Sequence, residues 1–350
     1  MILREVSINR FIKREAPANL KPDDWNKFLL EENVPTGISA CGELQNITLL
    51  SNGIFFNNYR ISALSYPFPQ HEFIHHYAGP QFILKQWARF FLSRKYRIND
   101  DAIVFTDLFS GNYYHWFTET LPRLFKAKDS LNKSALVILP NNCKKDFILG
   151  SIRLLGFQYA FIDHPFKKLE LPRVLFLPHV IASGRVDADI IKSLREDLLD
   201  AIPEKKNVQG ADKIYISRQK AGVRKLLNEE EVIPVLEKYG FTSVNMEDYS
   251  WQEQVQLMKN VRYLVAPHGA GLTNMIFIQN KACILELLPV RLNHTVNYCY
   301  FNLASALGHG YFYQLRDFQD QSGVKDGGDA NYTINLQELE TNLQLMLAYK

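Results

Sequence analysis

The chain has 350 residues, 47% of them apolar or aromatic, too many for one ordinary core and enough for two. Charged residues make up 22% and the formal net charge is +3, an excess too small to suggest a nucleic-acid protein but compatible with phosphates or an anionic membrane face. Cys41, Cys143, Cys283 and Cys299 form no C-x-x-C pair, which argues against a zinc site or redox dithiol and fits a reducing compartment.

The opening stretch "MILREVSINRFIKREAP" is broken by Arg4, Glu5, Arg10, Lys13, Arg14 and Glu15, so no signal-peptide core is expected. Nowhere do 18 consecutive apolar residues occur, so no bilayer-spanning helix is expected either. The expectation is a cytoplasmic protein, with peripheral association at the inner face of the membrane left open.

Residues 1–100 are irregular and form an expected β-rich region joined to the next domain. Within them "QNITLLSNGIFFNNYRISAL" reads as a small β meander, and "PQFILKQWARFFLSRKY" as a helix with aromatic bulk. His71, His75 and His76 are spaced so that a metal cluster is conceivable, but aromatic-rich surface is the better reading.

From residue 101 strands and helices alternate. "AIVFTDLF", "ALVILP", "YAFID" and "RVLFLP" read as strands, with "GNYYHWFTETLPRLFKAK" and "KKDFILGSIRLLG" as helices. A second alternation begins after "PHVIASGR". Its strands are "KIYIS", "TSVNM", "RYLVA", "ACILELL" and "GYFYQL". The helix "NEEEVIPVLEKYG" carries an expected capping box, Asn228 with Glu231, and ends at Gly240. "GLTNMIFIQ" reads as a short helix, 322–333 as a loop, and the last helix as amphipathic. Such alternation implies parallel sheets covered on both faces. The expected domains are 101–180 and 181–335, with the break near 178–187, and a C-terminal helix over 336–350.

Parallel α/β sheets bind ligands at the carboxyl ends of their strands. "APHGAGLTN" lies at such an end, where His268, Gly269, Ala270 and Gly271 lead from strand to helix. Glycines let an anion approach the backbone, and helix-start N–H groups attract it. Neither G-x-x-x-x-G-K-[ST] nor G-x-G-x-x-G occurs, so this is not a nucleotide P-loop or a dinucleotide fingerprint. After another strand, "SRQKAGVRK" places Arg218, Lys220, Arg224 and Lys225 where they could hold a diphosphate, or form a solvated loop. Glu286, inside an apolar strand, needs a partner: a ribose diol or a cationic side chain.

In the first block Asp107 ends a strand, and His115, Glu119 and Arg123 follow at four-residue spacing, subject to a kink at Pro122. A His–Glu pair at i, i+4 raises imidazole basicity, as a general base for an incoming hydroxyl requires. Tyr113, Tyr114 and Trp116 offer aromatic surface for a sugar ring. The other reading is a core aromatic helix with an ion-pair stripe. Asp187-Ala188-Asp189 has the D-x-D form of a metal site, but it opens a helix, where capping explains carboxylates.

Four segments, "NYYHWFTETLPRL", "ISRQKAGVRKLLNEEEV", "LVAPHGAGLTNMIFI" and "LELLP", together resemble glycosyltransferase family 61 in order and spacing. The resemblance implies a GT-B architecture, two Rossmann-like domains with parallel sheets facing a cleft. It also implies inverting transfer from a nucleotide sugar, usually UDP-linked, without an essential metal or other cofactor. The acceptor, a glycan or lipid-linked glycan of the surface-polysaccharide or capsule type, would sit on the amino-terminal domain. It would contact Tyr113, Tyr114, Trp116 and Arg123. Donor ligands would be Arg218, Arg224, Lys225, His268 to Gly271, Asn274 and Glu286, with Asn245 to Asp248 meeting the base. His115 would be general base, with Asp107 and Glu119 behind it. The final helix would pack back across the domain junction. The alternative is a non-catalytic nucleotide-sugar or glycan-binding protein using the same cleft.

Overall fold

The computed structural model describes residues 8–37, 42–98, 101–203, 210–291, 295–316 and 331–349. The chain divides into two compact units: Asn33–Leu194 with the residues before Ile12, and Ile12–Glu32 with the residues from Arg195 onward. The division falls inside the helix Ala188–Ala201. Strands β1 (Ile8–Lys13) and β2 (Glu31–Thr36) pair as a ribbon where the chain passes from one unit to the other and back.

The first unit is built on one mixed sheet. Its strands are β3 (Gly42–Leu50), β4 (Phe55–Asn57), β5 (Arg60–Ile61), β6 (Arg94–Arg97), β7 (Ala102–Val104), β8 (Leu136–Leu139), β9 (Gln158–Phe161) and β10 (Lys167–Phe176), in the order β5-β4-β3-β10-β7-β8-β9. Strands β10, β7, β8 and β9 are parallel, and β6 lies parallel to the first half of β10. The expected meander, β3 to β5, is present, but β3 joins the free edge of β10 antiparallel, so the sheet is not purely parallel. Strand β10 also begins earlier than "RVLFLP" suggested, because Lys167–Pro172 alternates in burial instead of forming an apolar run. Leu49 and Phe55 of the meander share a core with Val104, Ile138 and Phe176. The meander strands β3 to β5 are thus continuous with the α/β sheet.

The second unit carries β11 (Lys213–Ile216), β12 (Thr242–Val244), β13 (Tyr263–Pro267), β14 (Cys283–Leu288) and β15 (Gly310–Leu315). Their order is β12-β11-β13-β14-β15 and every pairing is parallel. Its last helix, Leu336–Ala348, places Leu339, Leu343 and Met346 in one core with Tyr215, Val265, Leu285 and Phe312. It packs on its own unit's sheet, where its apolar stripe is used by β14 and β15. Residues 12–32, read as irregular, belong here too. The Phe28 ring sits 5.3 Å from Phe301 and 4.8 Å from Tyr313, and Asn19 Nδ2 donates to the Tyr313 carbonyl at 2.7 Å.

Helix ends show one correction. Asn228 does not cap the helix Glu229–Lys238; its side chain instead exchanges hydrogen bonds with Ile334. The capping box belongs to the next helix, Trp251–Met258, between Ser250 and Glu253. Gly240 does end its helix, with a left-handed φ of +82° that lets Phe241 N reach the Leu236 carbonyl. The loop expected at 322–333 lies outside the described residues except for its last three. Of these, Tyr332 is buried and donates its hydroxyl to the Leu287 carbonyl at 2.7 Å. Cys41 also lies outside them; Cys143, Cys283 and Cys299 are buried free thiols.

Candidate functional site

In the second unit the order of strands reverses between β11 and β13, the topological switch point at which open parallel sheets hold ligands. The loops leaving those two strands are the two that the sequence singled out. Glu229 organises the first loop: one oxygen accepts from Tyr215 Oη at 2.8 Å and from Arg218 N at 3.0 Å. The Arg218 guanidinium is held by its own loop, with Nη2 on the Val223 carbonyl at 2.9 Å and Nε on the Arg224 carbonyl at 3.3 Å. Arg224 has φ +55°, a left-handed conformation unusual for a non-glycine residue. Burial, then the neighbouring Arg224, lower the Arg218 pKa below the ordinary arginine value. An anion placed there would relieve both penalties.

The second loop lies against this guanidinium. A Cβ at Gly269 would stand 1.9 Å from Arg218 Nη1, so only glycine allows the arginine to lie there. A Cβ at Gly271 would meet Ile216 Cγ2 at 3.0 Å. Ala270–Phe277 is a 3-10 helix rather than an α-helix. Lys225 is half-buried, with its backbone N on Asn331 Oδ1 at 2.8 Å. Lys220 is exposed and paired with Asp248, in the segment expected to meet the base.

Two expected donor ligands lie beneath the loop. Glu286 is fully buried; its Oε1 bonds His268 Nδ1 and its Oε2 accepts from Tyr311 Oη at 2.7 Å. The carboxylate thus joins the loop's histidine to β15. The register that sets Ala266 opposite Glu286 on β13 and β14 brings this pair together. Asn274 is buried, donating to Gln254 Oε1 at 3.2 Å.

In the first unit, register creates a second cluster. Leu175 and Phe176 of β10 pair with Ile103 and Val104 of β7. Asp107 and His179 each stand three residues past their strand, so they meet at the carboxyl end of the sheet. Arg123 joins them: Nη2 donates to Asp107 Oδ2 and lies 2.6 Å from His179 Nδ1, while Nη1 reaches the Phe105 carbonyl at 2.7 Å. Burial, then Arg123, push the His179 pKa down to about 3, so its imidazole is neutral and accepts through Nδ1. Burial would raise the Asp107 pKa, but the Arg123 guanidinium and the Phe109 N–H outweigh it and leave the carboxylate more acidic than usual.

His115 and Glu119 sit beside this cluster on an irregular helix. Asn112 caps the first turn, accepting from Tyr114 N at 2.9 Å. Trp116–Thr120 then forms a π turn, closed by Leu121 N on the Trp116 carbonyl, before Leu121–Ala127 continues with Pro122 in its first turn. Glu119 Oε1 accepts from Ser183 Oγ and Gly184 N, each at 2.9 Å. Its Oε2 lies 2.9 Å from His115 Nδ1, a charge contact that is not aligned as a hydrogen bond. Burial lowers the His115 pKa, but Glu119 outweighs it and leaves the imidazole more basic than usual. Its side chain is 24% exposed while that of Glu119 is 2% exposed, so the histidine is the accessible end of the pair.

Some expected residues face inward. Trp116 is fully buried with Nε1 on Ser151 Oγ at 2.9 Å, so it offers no stacking surface to a sugar. Tyr114 and Arg123 are buried as well, and Tyr113 is half-buried against Phe117 and Phe147. His179, Ser183 and Gly184 were missed, although "LFLPHV" places His179 past a strand by the same rule that drew attention to Asp107. Asp187 accepts from Ile190 N at 3.1 Å and from Arg10 Nη1 at 2.6 Å, the cap-and-pair role. His71, His75 and His76 are exposed on the helix Gln70–His76.

The doubly wound second unit and its two-loop switch point define a Rossmann-like α/β protein. The Glycosyltransferase 61 family model matches residues 113–285, a span that runs from the His115 helix through both switch-point loops. Over that span the chain belongs to glycosyltransferase family 61. It is 32% identical over 184 residues to an EGF domain-specific O-linked N-acetylglucosamine transferase of Drosophila melanogaster, covering 48% of this chain and 34% of the relative. The Mus musculus protein of the same name is 26% identical over 151 residues, 40% of this chain and 28% of the relative. A beta-1,2-xylosyltransferase of Oryza sativa subsp. japonica is 29% identical over 212 residues, 54% of this chain and 37% of the relative. The chain thus spans about a third of the length of these curated relatives.

Proposed function

We propose that this protein transfers a hexosyl or pentosyl group from a nucleotide sugar, taken as UDP-linked, to a hydroxyl of a glycan or lipid-linked glycan, with inversion. The observation that carries the reading is Arg218 lying over Gly269 at the switch point of the second unit. Two partly buried arginine side chains beside a glycine loop suit a diphosphate, and family membership supports a sugar as the other half of the donor.

In this reading His115 takes the acceptor proton through Nε2, because Nδ1 faces Glu119. The acceptor oxygen forms its bond to the anomeric carbon as the carbon–oxygen bond to the diphosphate breaks, and the electron pair leaves with the diphosphate. Arg218, Arg224 and the backbone of His268 to Gly271 offset that charge, so no metal is required. Asp107, Arg123 and His179 fix the sheet end on which the His115 helix rests. A GT-B arrangement, cytoplasmic action and a role in surface polysaccharide synthesis complete the proposal.

Calorimetry with UDP, GDP and CMP tests the donor site. UDP should bind, Arg218→Ala should weaken it by roughly tenfold or more, and EDTA should leave transfer intact. No binding by any nucleotide would remove the donor assignment. Binding with neither transfer nor donor hydrolysis would favour a non-catalytic binding protein.

A further inference from the structure

The helix Pro80–Leu92 buries Gln86 and Phe90 on one side. Its other side is also apolar. Leu84, Phe91 and Leu92 are 70%, 68% and 70% exposed, and Ala88 between them is exposed as well. These residues recur at helical spacing, so they form one stripe rather than scattered side chains. Trp87 flanks the stripe, stacked on Phe91 at 5.6 Å. Half-exposed Phe166 lies at the helix end, its carbonyl accepting from Arg94 N at 2.7 Å.

The charge carried by this segment has one sign. Residues 80–98 contain Lys85, Arg89, Arg94, Lys95 and Arg97 and neither Asp nor Glu. Lys95 is paired with Glu170 at 2.7 Å, which leaves the argument to Lys85, Arg89 and Arg94. Among the described residues no helix is long and apolar enough to cross a membrane. A two-fold contact between copies through this face would set cations against cations. An anionic bilayer instead meets both the apolar stripe and its basic flank.

We infer that the outward face of Pro80–Leu92 docks on the surface of an anionic lipid bilayer, with Leu84, Phe91 and Leu92 entering the headgroup boundary. The inference stands on this helix alone and does not depend on the donor site.

Co-sedimentation of the full chain with vesicles tests it, using phosphatidylglycerol–phosphatidylcholine mixtures against pure phosphatidylcholine. Binding is expected to the anionic vesicles and to weaken at about 0.5 M salt. The triple variant Leu84→Ser, Phe91→Ser, Leu92→Ser should lower it by on the order of tenfold or more, with an unchanged melting temperature. Lys85→Glu with Arg89→Glu should lower it on anionic vesicles only. Absence of binding by the wild type, or binding unchanged in both variants, overturns the inference. A wild-type dimer that the triple variant dissociates, without vesicle binding, assigns the stripe to a second copy. UDP affinity, measured on the same variants, should not move.

Discussion

Each unit contains a histidine paired with a glutamate, and the two pairs are built for different ends. His115 and Glu119 lie on one helix, with the carboxylate buried and the imidazole partly open. His268 and Glu286 lie on neighbouring strands and are both buried, with Tyr311 closing the carboxylate from the far side. An imidazole can exchange a proton with a bound ligand only if a nitrogen faces it. By that measure the pair in the first unit is suited to proton transfer, and the pair in the second to holding a loop in shape. Identical side-chain chemistry is divided by exposure.

The largest expected effect separates the pairs by turnover. His115→Ala should reduce transfer by roughly a hundredfold or more while the donor dissociation constant stays put. A variant with wild-type turnover would remove His115 as the base. Next comes stability. Glu286→Ala strands the Tyr311 hydroxyl and the His268 ring, at a cost of about 1–3 kcal/mol, read as a lower melting temperature. If the melting temperature held and only UDP affinity fell, Glu286 would be a direct ligand after all.

The smallest effect concerns pH. Glu119 raises the His115 pKa, and a base works neutral, so transfer should fail as pH drops through that raised value. Glu119→Gln removes the charge, and the acid limb should move to lower pH. A pH–rate profile with an unmoved limb would uncouple Glu119 from the base. The protonated pair also favours folding below the unfolded imidazole value of about 6.5, a contribution lost as pH rises through the raised folded value.

The sequence exposed the parts of this molecule that depend on local pattern. Strand β13 and its loop are visible in "LVAPHGAG", and β11 with its arginines in "YISRQK", because a buried parallel strand is a continuous apolar run. What stayed hidden depends on register. That His179 reaches Asp107 follows from Phe176 pairing with Val104, which no spacing in the chain reveals. Glu286 shows the same limit: its need for a partner was legible, but His268 as that partner was not. Trp116 misled because aromatic residues near a turn look alike whether they face a ligand or Ser151. The π turn at Trp116–Thr120 has no sequence signature beyond Pro122 five residues after Phe117.

The excursion of residues 12–32 bears on how this protein comes to exist. Asn19 and Tyr313 are 294 positions apart and bonded to one another, and Tyr313 Oη also donates to Asp24 at 2.7 Å. A chain emerging from the ribosome makes Phe28 early and must hold it unsatisfied until Phe301 and Tyr313 follow. The second unit therefore closes on a segment synthesised before nearly all of the first. A fragment starting at Arg195 would expose Phe301 and Tyr313, the aromatic seat of Phe28, and should aggregate more readily than the full chain.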